Sequence, residues 1–227
     1  SRGLGDVYKR QILLFIGILL GIGCIRFKES LPAEKRSKTG VWATFRSFGI
    51  IVHNRRYMLY VFQLAFAQGI LFAYIASSPF IIQQHYGFSP FAFSICFAVN
   101  AVAIGVAAAL SVKFRRTENG TLTGCVGMLV FAVLQMAALY SGCGFWTYEL
   151  LMFALLFMMG LTFTASTTLA MDCERRYAGA ASALLGALCF ASGGIVSPLV
   201  GLGDILISTG VTFVFAPFAR SFVPCGL

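Results

Sequence analysis

Residues 57–112 decide the fold, and they read YMLYVFQLAFAQGILFAYIASSPFIIQQHYGFSPFAFSICFAVNAVAIGVAAALSV. These 56 residues contain no Asp, Glu, Lys or Arg. A membrane-spanning helix needs about 20 mostly apolar residues to cross a hydrocarbon core roughly 30 Å thick, so the stretch is long enough for two spans. Its residues 85–90, HYGFSP, carry the Gly and Pro that are typical of a turn. The stretch therefore predicts a helical hairpin that crosses a membrane twice.

Further charge-free windows lie on both sides of this hairpin. Only helices and closed strand barrels satisfy their backbone hydrogen bonds in lipid. These windows are continuously apolar and lack the alternation of barrel strands, so we predict an all-α membrane protein. The predicted spans, of which the first is truncated, are 12–25, 57–80, 89–112, 122–141, 146–171, 179–200 and 204–222.

The composition excludes a soluble enzyme. Hydrophobic residues make up 59% of the chain and charged residues 11%, whereas soluble domains contain about 25% charged residues. The sequence has no nucleotide-binding loop, nucleophile elbow or zinc motif, and its cysteines are scattered without metal or redox spacing. We therefore expect no enzymatic activity, no cofactor and no metal site.

Basic residues cluster in alternate loops, and this pattern orients the spans. The segment 26–56 holds eight Lys and Arg residues, and two later loops hold more, whereas the loops between them hold none. Basic residues near span ends stay on the cytoplasmic side, so the net charge of +9 reflects topology, and nucleic acid is not an expected partner. The predicted cytoplasmic loops are 26–56, 113–121 with its basic residues Lys113, Arg115 and Arg116, and 172–178; the predicted outer loops are 81–88, 142–145 and 201–203.

The two ends of the chain differ from the apolar block between them. Residues 1–11 resemble a translated cloning linker, and the last predicted span is interrupted by Pro217 and Arg220 and closely followed by Pro224. We therefore expect a fragment of a longer protein. Its predicted parts are a linker-derived artefact at 1–11, a truncated transmembrane helix at 12–25, a cytoplasmic interdomain linker at 26–56 and a C-terminal six-helix domain at 57–227.

Within the linker, residues 41–52 place apolar side chains near helical spacing. This pattern fits a short amphipathic helix at the cytoplasmic interface. It also fits the first turns of the following span, and the sequence leaves both interpretations open.

Amides and hydroxyls lie deep in the predicted spans. Lipid exposure would be costly for them, so they are expected to face the bundle interior. There they either link helices by hydrogen bonds or contact a substrate. Gln68, Tyr74 and Asn100 lie on adjacent spans joined by a short outer hairpin, which favours a cavity at this place. The candidate substrate-binding residues are Gln63, Gln68, Tyr74, Asn100, Gln135 and Thr164.

Gly69 and Gly160 occupy matching places in the first and fourth spans of the six-span block, and each opens a Gly-x-x-Phe motif. Since those two spans cross the membrane in opposite directions, the echo fits an inverted repeat. Glycine interruptions at corresponding places in such repeats point to the binding region of a transporter. The predicted hinge or packing positions are Gly69, Pro79, Gly105, Gly160, Gly179 and Gly186.

Acidic residues avoid the centres of the predicted spans. Glu149 lies a few residues inside the outer end of its span, and Asp172 and Asp204 lie at span ends, so each is interpreted as an interface residue. A proton-coupled carrier needs a titratable group that both sides of the membrane can reach. We expect that group in a portion outside this chain, with Glu149 as the one candidate within it.

Short motifs in a fixed order resemble the second half of a known family. They are Tyr74-Ile75-x-x-Ser78-Pro79-Phe80, Tyr86-Gly87-Phe88-Ser89-Pro90-x-x-Phe93, Phe97-Ala98-x-Asn100-Ala101, Ala178-Gly179-x-Ala181-Ser182-Ala183-Leu184-Leu185-Gly186 and Ser197-Pro198-Leu199. Over about residues 12–200 the chain looks like Bcr/CflA-type drug-resistance transporters of the major facilitator superfamily.

The resemblance implies the C-terminal half of a twelve-helix carrier, that is, a six-helix bundle preceded by a truncated helix. It also implies alternating access and proton-driven antiport of drugs across a bacterial inner membrane. The implied partners are membrane lipid, a small amphipathic drug-like substrate and the missing N-terminal six-helix half, and the implied energy source is the proton gradient. The alternatives are an exporter or uptake carrier of a natural metabolite, and a non-transporting membrane scaffold protein.

Overall fold

The computed structural model describes residues 2–26, 41–114 and 117–200. Contacts divide the chain into two units, Ser1–Gly40 and Val41–Leu227. In the first unit, the described residues form one helix, α1 (Arg2–Arg26). This helix contains the predicted span 12–25 and continues into residues 2–11. The linker origin of residues 1–11 stays a prediction.

The second unit is built from helices, and no strand occurs in the ranges that the structure describes. This confirms the predicted all-α class. Five stretches, 55–85, 90–111, 117–140, 145–173 and 175–200, are long and apolar enough to cross a membrane, and the last predicted span, 204–222, lies outside the described residues. The helices are α2 (Val41–His53), α3 (Arg55–Pro79) with a π turn (Phe80–His85), α4 (Pro90–Ser111), α5 (Thr117–Tyr140), α6 (Phe145–Cys173) and, after a 3₁₀ turn (Arg175–Tyr177), α7 (Ala178–Val200).

Local sequence explains where the first two spans begin. Asn54 separates α2 from α3, and its side chain accepts a hydrogen bond from the Tyr57 backbone N–H, as an N-cap residue does. Residues 41–52 therefore lie in a separate helix rather than in the first turns of α3. Ser89 caps α4 in the same way, with Pro90 in the first helical turn. Gly87, at φ 71°, reverses the chain between α3 and α4, which confirms the predicted hairpin.

Helix α6 is the centre of the bundle. It packs against α3, α4 and α5, while α7 packs mainly against α3. Half of the most apolar part of α6 is buried, compared with 17% for α4 and for α7. The exposed faces of α4 and α7 carry large apolar side chains such as Val102 and Phe190, and such surfaces suit lipid.

Hydrogen bonds from side chains to distant backbone carbonyls tie α3 to α7. The Tyr57 hydroxyl donates to the Ala181 carbonyl at 2.6 Å, and the Ser192 hydroxyl donates to the Ala65 carbonyl at 2.6 Å. Near the same end of the bundle as Tyr57, the Asn54 amide donates to the Glu174 carboxylate at 2.6 Å. The start of α3 is thereby connected to the C-terminal end of α6 and to the first turn of α7.

The predicted hinge and packing positions differ in their surroundings. A Cβ atom at Gly160 would lie 2.6 Å from the Ile104 carbonyl oxygen of α4, and one at Gly69 would lie 3.3 Å from the Val196 side chain of α7. Both glycines therefore allow close helix contacts. Pro79 is the last residue of α3, directly before the π turn. At Gly105, Gly179 and Gly186 an added Cβ would meet no described atom within 4 Å, so a hinge or packing role at those positions stays a prediction.

Candidate functional site

A hydrogen-bonded cluster joins three spans inside the bundle. The Asn100 side-chain amide donates to the Tyr74 hydroxyl at 3.0 Å and to Glu149 Oε1 at 2.8 Å. Asn100 lies near the middle of α4, Tyr74 lies in α3 and Glu149 lies in α6. Asn100 is fully buried and Tyr74 is 2% exposed. The three residues, which we call the Tyr–Asn–Glu cluster, therefore link α3, α4 and α6, with Tyr74 and Asn100 buried and Glu149 half-buried.

The Tyr–Asn–Glu cluster contains buried polar atoms that lack a hydrogen-bond partner within the described chain. They are Asn100 Oδ1 and Glu149 Oε2, and the hydroxyl of the neighbouring Tyr148 is in the same situation. Buried polar atoms are satisfied in most structures, so each exception calls for an explanation such as a ligand, an ion or a catalytic or redox role. Of these atoms, Glu149 Oε2 is a carboxylate oxygen and can therefore take up a proton.

Aromatic rings pack against the cluster on one side. The Tyr74 ring stacks on Phe97 with 5.7 Å between ring centroids and an interplanar angle of 9°, and Phe97 in turn contacts Phe93. These rings lie on α3 and α4 and give the site an apolar wall. Small-molecule sites in proteins combine such walls with a few polar groups that fix orientation.

A second group of aromatic residues lies next to the cluster, near the end of α3 and the starts of α4 and α6. Phe88 and Phe145 have ring centroids 4.2 Å apart, and Tyr86 contacts both Phe145 and Tyr148. The Tyr86 hydroxyl donates to the Cys143 carbonyl at 2.9 Å. Burial raises the pKa of the Tyr86 phenol, so this hydroxyl keeps its proton and remains a donor. The loop after α3 and the loop after α5 are thereby joined over the cluster.

Glu149 is the residue that the sequence interpretation placed differently. The sequence assigns it to the interface because it lies a few residues inside the end of its predicted span. In the structure its carboxylate reaches Asn100, which lies near the middle of α4. The signal in the sequence was that Glu149 alone separates two long charge-free windows, 119–148 and 150–171. An ionisable residue inside a span is a functional candidate by default.

The other predicted binding residues are distributed over the bundle. Gln63 donates to Ser166 Oγ at 3.0 Å and also to the Cys125 sulfur, so it links α3 to α5 and α6. Gln135 is fully buried, and neither of its amide atoms has a partner in the described part of the chain. Gln68 and Thr164 are half-buried, and no hydrogen bond within the described ranges connects either of them to the Tyr–Asn–Glu cluster. The structure thus brings Tyr74 and Asn100 together, and no hydrogen bond within the described ranges joins the other four candidates to them.

The predicted basic loop is only partly described. Lys113 is exposed directly after α4, where its backbone N–H donates to the Leu110 carbonyl, and Arg115 and Arg116 lie outside the described residues. Among the residues that the structure describes, no group of three or more His, Cys, Asp or Glu side chains could hold a metal ion.

Comparison with known proteins identifies the family. Residues 7–198 match the family model of the Major Facilitator Superfamily. The chain is 35% identical over 199 residues to the uncharacterized MFS-type transporter YdgK of Bacillus subtilis (strain 168), an alignment that covers 86% of this chain and 49% of the relative. The chain therefore spans about half the length of this curated relative. The narrower resemblance to Bcr/CflA-type transporters stays a prediction. The chain belongs to the Major Facilitator Superfamily and is a multi-pass membrane protein of a transporter family.

Proposed function

We propose that this chain is the C-terminal half of a bacterial inner-membrane carrier that expels small amphipathic drug-like molecules in exchange for protons, by alternating access. Membership of a transporter family and the match to about half of a full-length relative support the general assignment. The observation that carries the proposal is the Tyr–Asn–Glu cluster, in which the Asn100 amide and one oxygen of the Glu149 carboxylate are buried where three spans meet. Buried ionisable groups in spans mark substrate or ion pathways.

The surroundings of the cluster fit an amphipathic molecule. The Tyr74 and Phe97 rings offer an apolar stacking surface, and the Asn100 amide and the Tyr74 hydroxyl lie beside them. A proton gradient would supply the energy, so the carrier needs no cofactor. Its partners are membrane lipid, the substrate and an N-terminal six-helix half that completes the cavity.

A carrier of a natural metabolite is the second candidate. The same combination of an apolar wall with a few amide and hydroxyl groups also suits a polar metabolite. A scaffold protein is disfavoured, because a buried acid without a basic partner is costly and has no use in a purely structural bundle.

Resistance measurements test the proposal. The complete carrier, with its N-terminal half, is expected to give energy-dependent resistance in a drug-hypersensitive bacterial strain, while the 227-residue chain alone gives none because it lacks one wall of the cavity. The control is the Glu118→Gln variant, which changes an exposed acid at the start of α5. Resistance conferred by the 227-residue chain alone would contradict the half-carrier assignment. Uptake or efflux of a metabolite without drug resistance would favour the second candidate.

A further inference from the structure

The carboxylate of Glu149 is held by one donor and is otherwise uncompensated. Oε1 accepts from Asn100 at 2.8 Å, and Oε2 is fully buried without a hydrogen-bond partner in the described chain. An ionised carboxylate has about four acceptor sites, of which this geometry satisfies one. An isolated buried carboxylate is strongly destabilised relative to its neutral acid. The site therefore favours the uptake of a positive charge.

The groups that face the carboxylate are neutral. Tyr74 approaches it from α3, Cys96 from α4 and Tyr148 from its own helix, and Tyr86 lies beyond Tyr148. The other charged groups lie elsewhere. Glu118 is in the first turn of α5.

Among the described residues, the salt bridge joins Asp172 to Arg175, and it lies at the opposite end of α6 from Glu149. No fixed positive charge in the described ranges thus offsets Glu149.

The size of the space decides what the carboxylate can bind. An organic ammonium or a metal ion needs room and several ligands around it, and Glu149 Oε2 has no exposed surface. A proton needs no room, because it adds to an oxygen lone pair that is already present. We propose that Glu149 is a proton-binding site of this carrier and that Asn100 and Tyr74 position it. This inference rests on the proposed ion-coupled function and names the residue that carries the coupling.

The proposed step is a simple protonation. A proton from the aqueous phase bonds to Glu149 Oε2, the charge of the carboxylate disappears, and no other bond breaks. The hydrogen bond from Asn100 to Oε1 is stronger when the acceptor is ionised. Because Asn100 also donates to Tyr74, protonation weakens one link between α6, α4 and α3. The π turn at 80–85 follows six residues after Tyr74 in the same span, and π turns inside helices are frequent at functional sites.

Infrared titration of the complete carrier in liposomes tests the site without a substrate. Acidification is expected to produce the carbonyl band of a protonated buried carboxyl group, and Glu149→Gln is expected to remove that band. Glu118→Gln and Asp172→Asn, which change exposed acids of the same bundle, are matched controls that should retain it. A band that persists in Glu149→Gln would overturn the proposal.

Variants of the positioning residues sharpen the test. Asn100→Leu removes the donor to the ionised carboxylate, so the proton affinity of Glu149 should rise by about tenfold. Tyr74→Phe leaves that donor in place and should change the affinity less. If Asn100→Leu does not fold, the comparison of Tyr74→Phe with wild type and the loss of the band in Glu149→Gln still decide the question.

Two further arms distinguish the proton from other cations. Replacing choline chloride by sodium chloride should not move the titration; displacement of the band by sodium would instead indicate a metal-ion site and overturn the proposal. Tetraphenylphosphonium that binds through Glu149 without any protonated band would likewise overturn it. The band does not depend on drug efflux. A band with no efflux would refute the proposed substrate alone, and efflux with no band would refute the proton site alone.

Discussion

The contact between α4 and α6 at Gly160 gives a quantitative prediction for Gly160→Ala. A Cβ atom at this position would lie 2.6 Å from the Ile104 carbonyl oxygen, 2.9 Å from Ala107 Cβ and 3.1 Å from Ile104 Cα. Two of these atoms belong to the backbone, so no rotamer change can relieve the overlap. Helix α4 must move away from α6 to accommodate a single methyl group.

The size of the effect follows from two opposing contributions. When α4 moves away, its remaining contacts with α6 open. Carbon contacts are optimal at about 3.5–4.0 Å, and a gap of roughly 0.5–1 Å loses a quarter to a half of their attraction. Overpacking of this kind costs about 1–3 kcal/mol, whereas Ala is favoured over Gly in a helix by about 1 kcal/mol. We expect a net loss of about 1 kcal/mol for Gly160→Ala and a larger loss for Gly160→Val. The same movement would lengthen the 2.8 Å hydrogen bond from Asn100 to Glu149.

Thermal unfolding in detergent measures this loss. In a bundle of this size, a change of 1 kcal/mol corresponds to a shift of about 2–4 °C in Tm, so Gly160→Ala should melt a few degrees below wild type. The matched control is Gly194→Ala in α7, where an added Cβ meets no described atom within 4 Å and Tm should stay equal or rise. A Gly160→Ala variant that melts at or above the wild-type temperature would refute the close α4–α6 contact.

Three further predictions concern the topology, the hydrogen bond between Tyr86 and Cys143, and the cavity. Cys173, in a predicted cytoplasmic loop, should react with a membrane-impermeant maleimide only from the inside, and labelling from the outside would reverse the topology. Tyr86→Phe removes the hydrogen bond to the Cys143 carbonyl and should lower the unfolding free energy by about 1 kcal/mol; unfolding curves that coincide with wild type would show that the bond does not stabilise the loops. In the complete carrier, Tyr74→Ala and Asn100→Ala should change the range of drugs resisted at constant protein abundance, whereas lost abundance with an unchanged range would indicate a purely structural role.

The helices could be predicted because their signals are local. Lipid requires about 20 apolar residues for each span, and caps such as Asn54 and Ser89 define where α3 and α4 begin. The observed helix boundaries differ from the predicted ones where the sequence has no such signal. The segment after Pro79 continues to His85 as a π turn. Helix α5 begins at Thr117, before the predicted start at 122, because a span predicted from apolar residues leaves out the polar first turn of its helix.

The candidate site was predictable only in part. The pairing of Tyr74 with Asn100 follows from a short hairpin between adjacent spans, which the sequence shows directly. The position of Glu149 depends on how α6 packs against α4, and the sequence of a single helix specifies depth along its own axis without specifying its neighbours. Gln63 shows the same limit, since its contacts with Ser166 and Cys125 cross to helices that are distant in sequence.

The central position of α6 has a consequence for how this protein can vary. The buried side chains of α6 face three helices, α3, α4 and α5, so a change in the volume of one of them affects its packing against a specific neighbour. The exposed sides of α4 and α7 have no such constraint from the described bundle and need only remain apolar. Substitutions can therefore accumulate one at a time on the exposed sides of α4 and α7, whereas a change in the volume of a buried α6 side chain requires a compensating substitution in the helix that it faces.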